Sequence, residues 1–280
     1  MGKAVSALVL ATVLSSTSAG AQGVTDGEGI AALHAIAARS QCAKHDWSHR
    51  GIAPRSYIAG VALVYARSVC NPDRADVKVV SAPAGGNDAL VHYEAIFAAA
   101  GMRNDSAGLD TLRHSYTLLI GLGMRESAGK FCEGRDVSQC FVKAENAEAG
   151  LFQTSYGARV HSPALEGLIG SYTASTKGCL LDDFKGQISC KIRKSQNPAC
   201  PEATSDIAGS GPGADWQRLT KTCPAFATEY GAVVLRKNGG ARGEFGPIRR
   251  REAQMRPECD AMLKAVQDYV AQHREVCSVL

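Results

Sequence analysis

Ten cysteines, at positions 42, 70, 132, 140, 179, 190, 200, 223, 259 and 277, constrain the fold of this 280-residue chain more than any other feature. Their meaning depends on compartment, because thiols stay reduced in the cytosol and pair in an oxidising space. The N-terminus points to the second case. Lys3 precedes an uncharged stretch, Ala4 to Ser18, that carries Val5, Leu8, Val9, Leu10, Val13 and Leu14. Ala19-Gly20-Ala21 follows with the small-x-small pattern of a signal-peptidase site. Residues 1–21 are therefore predicted to be a signal peptide, leaving 22–280 as a single domain of 259 residues (280 less 21), periplasmic or extracellular. The apolar stretch is shorter than the ~20 residues of a membrane span, and no later stretch reaches that length free of charge, so no integral membrane contact is expected.

An even count of exported cysteines predicts up to five structural disulfides. Zinc is a poor alternative, since no two cysteines lie two to four residues apart and His45 and His49 have no second ligand pair nearby. No metal or cofactor is called for. Cys259 and Cys277 bracket what reads as one helix, and 18 residues at 1.5 Å rise separate them by about 27 Å, too far to pair with each other. Cys132 and Cys140 bracket a short polar excursion that a disulfide between them would close.

With 45% hydrophobic and 21% charged residues, the chain can bury a full core, which excludes disorder. A net charge of +4 without any run of four Lys/Arg gives no support to nucleic-acid binding, although a weak positive field suits an anionic polymer. Helical spacing dominates. Tyr57, Ile58, Val61, Val64, Tyr65 and Val69 predict a helix from about 54 to 70, stopped by Asn71-Pro72. Asn87 or Asp88 caps the next, running to Gly101, and Ser106 or Asp110 opens another that continues to Glu126. Ser162-Pro163 starts a fourth, and further helices are expected over 215–235 and 257–276, after a Ser/Pro/Gly-rich loop at 195–214. Asp76 to Val80 alternates as one short edge strand would. The predicted fold is mainly α, with a small irregular or β segment, and most plainly monomeric.

The segment Gly121-Leu122-Gly123-Met124-Arg125-Glu126-Ser127 carries the chemistry. Leu122 and Leu119 lie four and seven residues before Glu126, so a helix reaching that far puts the carboxyl on the aliphatic face. Partial desolvation there raises its pKa, which is what a general acid needs at neutral pH. Glu148-Ala149-Gly150-Leu151-Phe152-Gln153-Thr154-Ser155-Tyr156 follows after the cysteine-bounded excursion.

These two segments make the chain resemble the lysozyme-like superfamily, in particular goose-type lysozymes and soluble lytic transglycosylases, where a helix ends in Glu-Ser and a Gly-Leu-x-Gln segment comes later. The likeness covers about residues 110–175. It implies a lysozyme-like fold and cleavage of β-1,4 linkages of peptidoglycan. Glu126 would be the acid and Ser127 would orient it or a neighbouring segment. Gly150, Leu151, Phe152 and Gln153 would line the cleft floor, with Tyr156 beside them. Tyr230, in Thr228-Glu229-Tyr230-Gly231, would stand for a later tyrosine motif, though the usual Tyr-Asn pair is missing, and a core tyrosine reads equally well. A hydrolase needs a second carboxylate, for which Glu148 ranks first and Asp136 second. A lytic transglycosylase uses the sugar's own groups and leaves a 1,6-anhydro end. Chitin or chitosan is an alternative substrate, and a non-catalytic glycan- or protein-binding module an alternative class. Arg249-Arg250-Arg251 reads as a solvated patch, and no nucleophile elbow or His-Glu-x-x-His motif accompanies His45 and His49.

Overall fold

The computed structural model of the chain describes residues 1–2, 26–135, 142–190 and 206–280. Both the expected signal segment from residue 3 onward and Asp136 lie outside the described residues. The described chain is mainly helical. In order it forms α1 (Asp26–Arg39), β1 (Asp46–Trp47), β2 (Gly51–Ile52), α2 (Arg55–Cys70), α3 (Ala75–Val80), α4 (Ala89–His92), α5 (Glu94–Ala99), α6 (Leu109–Ser127), α7 (Pro163–Ala174), α8 (Leu181–Lys185), α9 (Pro212–Thr222), α10 (Pro224–Asn238), α11 (Gly246–Arg249) and α12 (Pro257–Gln272). The two strands pair antiparallel, Asp46 with Ile52 and Trp47 with Gly51.

Three helices make the interior. Along α2 all but one residue from Tyr57 to Val69 is buried, and α10 from Pro224 to Arg236 and α6 from Thr111 to Met124 are buried on every side. A helix sunk on all faces must be wrapped by others. Accordingly α1, α8 and α12 pack on α2, while α3, α7 and α9 pack on α10. Small residues permit the closest crossings. A Cβ at Gly123 in α6 would overlap the Tyr57 hydroxyl and the Phe152 ring, so glycine there lets α2 and the later turn seat directly beneath the end of α6.

Several helix ends follow from single residues. Ser162 accepts a hydrogen bond from the Ala164 amide (3.3 Å) with Pro163 at the first helical position, and Asp88 accepts from the Leu90 amide (2.9 Å). The run expected over 215–235 divides at Cys223-Pro224, because Pro224 has no N–H to continue the ladder. The helix expected after Asp88 divides at Tyr93, which is buried and leaves the helical region at φ −100°, ψ 8°.

Two expectations are overturned. Asp76 to Val80 is helix α3, not an edge strand: Val77 and Val80, three apart, are both buried, Asp76 lies in the first turn, and the helix satisfies its own backbone where a lone strand would have no neighbour. The excursion after Cys132 is not closed on itself, because Cys132 bonds Cys190.

Four disulfides join described cysteines: Cys42–Cys259, Cys70–Cys277, Cys132–Cys190 and Cys179–Cys223. The helix expected to run to 276 ends at Gln272, with Cys259 in its first turn and Cys277 in the short turn that follows, and the two cysteines go to different partners. The first two bonds span 217 and 207 residues and clamp α1 and α2 to the C-terminal helix. Such bonds are compatible with an oxidising compartment, and no described helix is long and apolar enough to cross a membrane.

Candidate active site

Glu126 occupies the last turn of α6, two residues before Ala128 and Gly129 take left-handed conformations and end the helix. Leu119 and Leu122 on its face are fully buried, while Glu126 itself is half-buried. Burial, and next the negative charge of Glu148, push the Glu126 carboxyl up to about 8, against the opposing pull of Arg250, Arg50 and Arg125. Among the described residues the Glu126 carboxyl donates to no acceptor, so its proton is not committed to a neighbour.

Glu148 is brought to this acid by strand-like alternation. Ala147 and Ala149 on either side of it are buried, which turns the Glu148 side chain the other way. Ala149 bridges to Thr154, its amide donating to the Thr154 carbonyl (3.0 Å), and this closes a tight turn over Gly150 to Gln153. Gly150 sits at φ +77°, its amide donates to the Glu133 carbonyl (2.9 Å), and a Cβ there would come within 2.7 Å of the Thr220 hydroxyl. Glycine is thus demanded by the turn and by α9. Leu151 and Phe152 are core residues, 0% and 1% exposed, and touch protein on all sides. The Gln153 amide donates to the carbonyls of Gly150 (2.9 Å) and Gly134 (3.2 Å), bracing the turn. These four residues position Glu148.

The remaining residues singled out from the sequence are placed as follows. Ser127 donates to the Gly123 carbonyl (3.0 Å) within its own helix. Tyr230 is fully buried among Trp216 and Phe226, and its hydroxyl donates to the Ser155 carbonyl (3.0 Å), tying α10 to the turn; burial raises its pKa. Tyr156 is half-buried under the Arg159 guanidinium, 4.0 Å from its ring centroid. Its neighbour Ser155 donates to Glu244 (2.8 Å).

Three arginines act on Glu126, of which only Arg250 lies in a stretch that the sequence marks, the run at 249–251. Arg50, on the turn between β1 and β2, donates to the Arg125 carbonyl. Arg125 (3.1 Å) and Arg250 (2.8 Å) grip Glu252 from both sides and hold its carboxyl down at about 2. The patch at 249–251 therefore contributes Arg250 to the site. His45, by contrast, packs edge-on against Trp47 at 4.9 Å, and among the described residues no group of His, Cys, Asp and Glu is arranged to hold a metal ion.

Beside Tyr230, Glu229 is buried at 1% exposure and receives Arg67 (2.8 Å), Arg74 and the Tyr172 hydroxyl (2.9 Å). Its two oxygens are consumed in linking α2, α3, α7 and α10. No protein-family model, curated protein or solved structure matches this chain.

Proposed function

We propose that the protein is an exported enzyme of lysozyme-like fold that cleaves β-1,4 linkages of peptidoglycan with Glu126 as general acid. The observation that carries this reading is a half-buried carboxyl at a helix end, raised to about 8 and set against a second carboxylate, Glu148. Such an acid is about nine-tenths protonated at pH 7, whereas an ordinary glutamate has already lost its proton. A carboxyl held protonated beside a second carboxyl is the arrangement glycosidic cleavage uses.

In the step proposed, Glu126 gives its proton to the glycosidic oxygen as the C–O bond breaks, and the cationic sugar is captured in one of two ways. In the transglycosylase route the sugar's own 6-hydroxyl adds and returns its proton to Glu126. In the hydrolase route water adds, with Glu148 taking its proton. Arg50, Arg125 and Arg250 favour the Glu126 carboxylate left behind, which moderates the acid's affinity enough for it to let go.

Digestion of purified peptidoglycan by the mature protein and by Glu126→Gln, followed by mass analysis of the released fragments, tests the reading. Anhydro-ended fragments from the wild type alone support the first route and reducing ends the second. Release of neither kind by correctly folded protein refutes the assignment, and chitin-type polymers are then the next substrates to try.

A further inference from the structure

A cavity of about 630 Å³ borders the turn that ends α6, lined by Pro54, Arg55, Ser56, Lys130, Gln187 and Ile188 among others. Its walls hold together tightly: Pro54 packs on Gly129, and the Gly186 backbone approaches Ser56 so closely that a Cβ would come within 2.7 Å of its hydroxyl. Among the described residues two cations line it and no carboxylate does, and neither Arg55 nor Lys130 has an ion-pair partner there. That distinguishes it from the cavity of about 430 Å³ at Arg67, Arg74 and Lys177, where Glu229 and Asp76 already neutralise both arginines.

The cavity and Glu126 share two segments of chain. The loop that supplies Arg50 to the end of α6 continues into Pro54, Arg55 and Ser56. Lys130 follows Glu126 by four residues, and its amide turns back to the Ser127 carbonyl (3.2 Å), so it stays within the roughly 14 Å that four extended residues could span. The first turn of α2 contains no acidic residue, so its positive end adds to the field of the two cations.

We propose that this cavity seats a carboxylate-bearing branch of the polymer whose backbone is cut at Glu126, making the substrate an acidic, branched glycan. The inference rests on the reading of Glu126 given above. Arg55 offers a planar fork for a carboxylate and Lys130 a point charge, with Ser56 and Gln187 to bond neutral branch groups and Ile188 to cover an apolar one.

The test pairs Arg55→Ser/Lys130→Ser with two substrates, native peptidoglycan and the same polymer with its carboxylates converted to neutral amides. On native polymer the double variant is expected to show KM raised about tenfold with kcat unchanged, the loss of charge-assisted bonds at a partly exposed site. On the amidated polymer wild type and variant should coincide. The same comparison in a Glu126→Gln background, read as co-sedimentation with insoluble polymer, reports binding without cleavage. Wild-type cleavage with an unchanged KM in the variant overturns the cavity assignment alone. Failure of wild type to cut and of Glu126→Gln to bind any of these polymers overturns the functional reading, and the branch assignment with it.

Discussion

Replacing Glu126 by Gln should make the protein more stable, and increasingly so as pH rises. The folded carboxyl titrates near 8 and an unperturbed glutamate at 4.5, so folding raises its proton affinity by about 3.5 units. Below pH 4.5 both states hold the proton and Glu126 costs nothing. Between 4.5 and 8 the unfolded chain releases it while the folded chain keeps it, so wild-type stability falls by about 1.36 kcal/mol per pH unit. Above 8 the penalty is constant, at an upper bound of roughly 5 kcal/mol, and partial exposure to water reduces it to about 3 kcal/mol. Gln occupies nearly the same volume and never titrates. Urea unfolding followed by the fluorescence of Trp47 and Trp216, both 2% exposed, at intervals from pH 4 to 9 gives the difference between the two proteins, in which titrations of groups remote from Glu126 cancel. The difference should be near zero at pH 4, climb through neutrality and level off above 8. A difference that stays flat across that range would mean Glu126 titrates as an ordinary surface carboxyl, and the case for it as a general acid would collapse.

Other perturbations separate the parts of the architecture. Glu148→Gln removes the second cause of the raised Glu126 pKa, so the basic limb of the pH–rate profile should move to lower pH while burial keeps it above 4.5; an unmoved limb would place Glu148 away from the acid. Glu229→Ala strands Arg67 as a buried charge and should cost about 3–5 kcal/mol in urea unfolding, with little effect if the network is merely superficial. Replacing Cys42 and Cys259 together by Ala opens the longest described disulfide loop, 217 residues, and should lower stability by about 2–5 kcal/mol without changing the midpoint of the pH–rate profile. Tyr230→Phe loses one buried hydrogen bond to the Ser155 carbonyl, worth about 1 kcal/mol, and should lower Tm while leaving KM unaltered, since its hydroxyl faces protein rather than solvent.

What could be read along the chain was what depends on near neighbours. The 3.6-residue recurrence of Tyr57, Val61 and Val69, the caps at Asp88 and Ser162, and the geometric exclusion of a Cys259–Cys277 bond all rest on residues within a few turns of one another. The placement of Glu126 on the aliphatic face at the end of α6 was legible for the same reason. The short alternation at Asp76 to Val80 was ambiguous by its length, and tertiary packing of Val77 and Val80 resolved it as helix. The pairing of cysteines more than 200 residues apart was decided only by how α1, α2 and α12 stack, because loop closure leaves no mark on local sequence. The charge around Glu126 is likewise a tertiary property: Arg50 and Arg250 come from segments 200 residues apart and meet because the β1–β2 turn and α11 both pack on the end of α6. Gly150 to Gln153 show the converse, a segment that reads along the chain as cleft lining but whose Leu151 and Phe152 are buried, since the turn that holds Glu148 in place is itself packed against Glu133, Gly134 and Thr220.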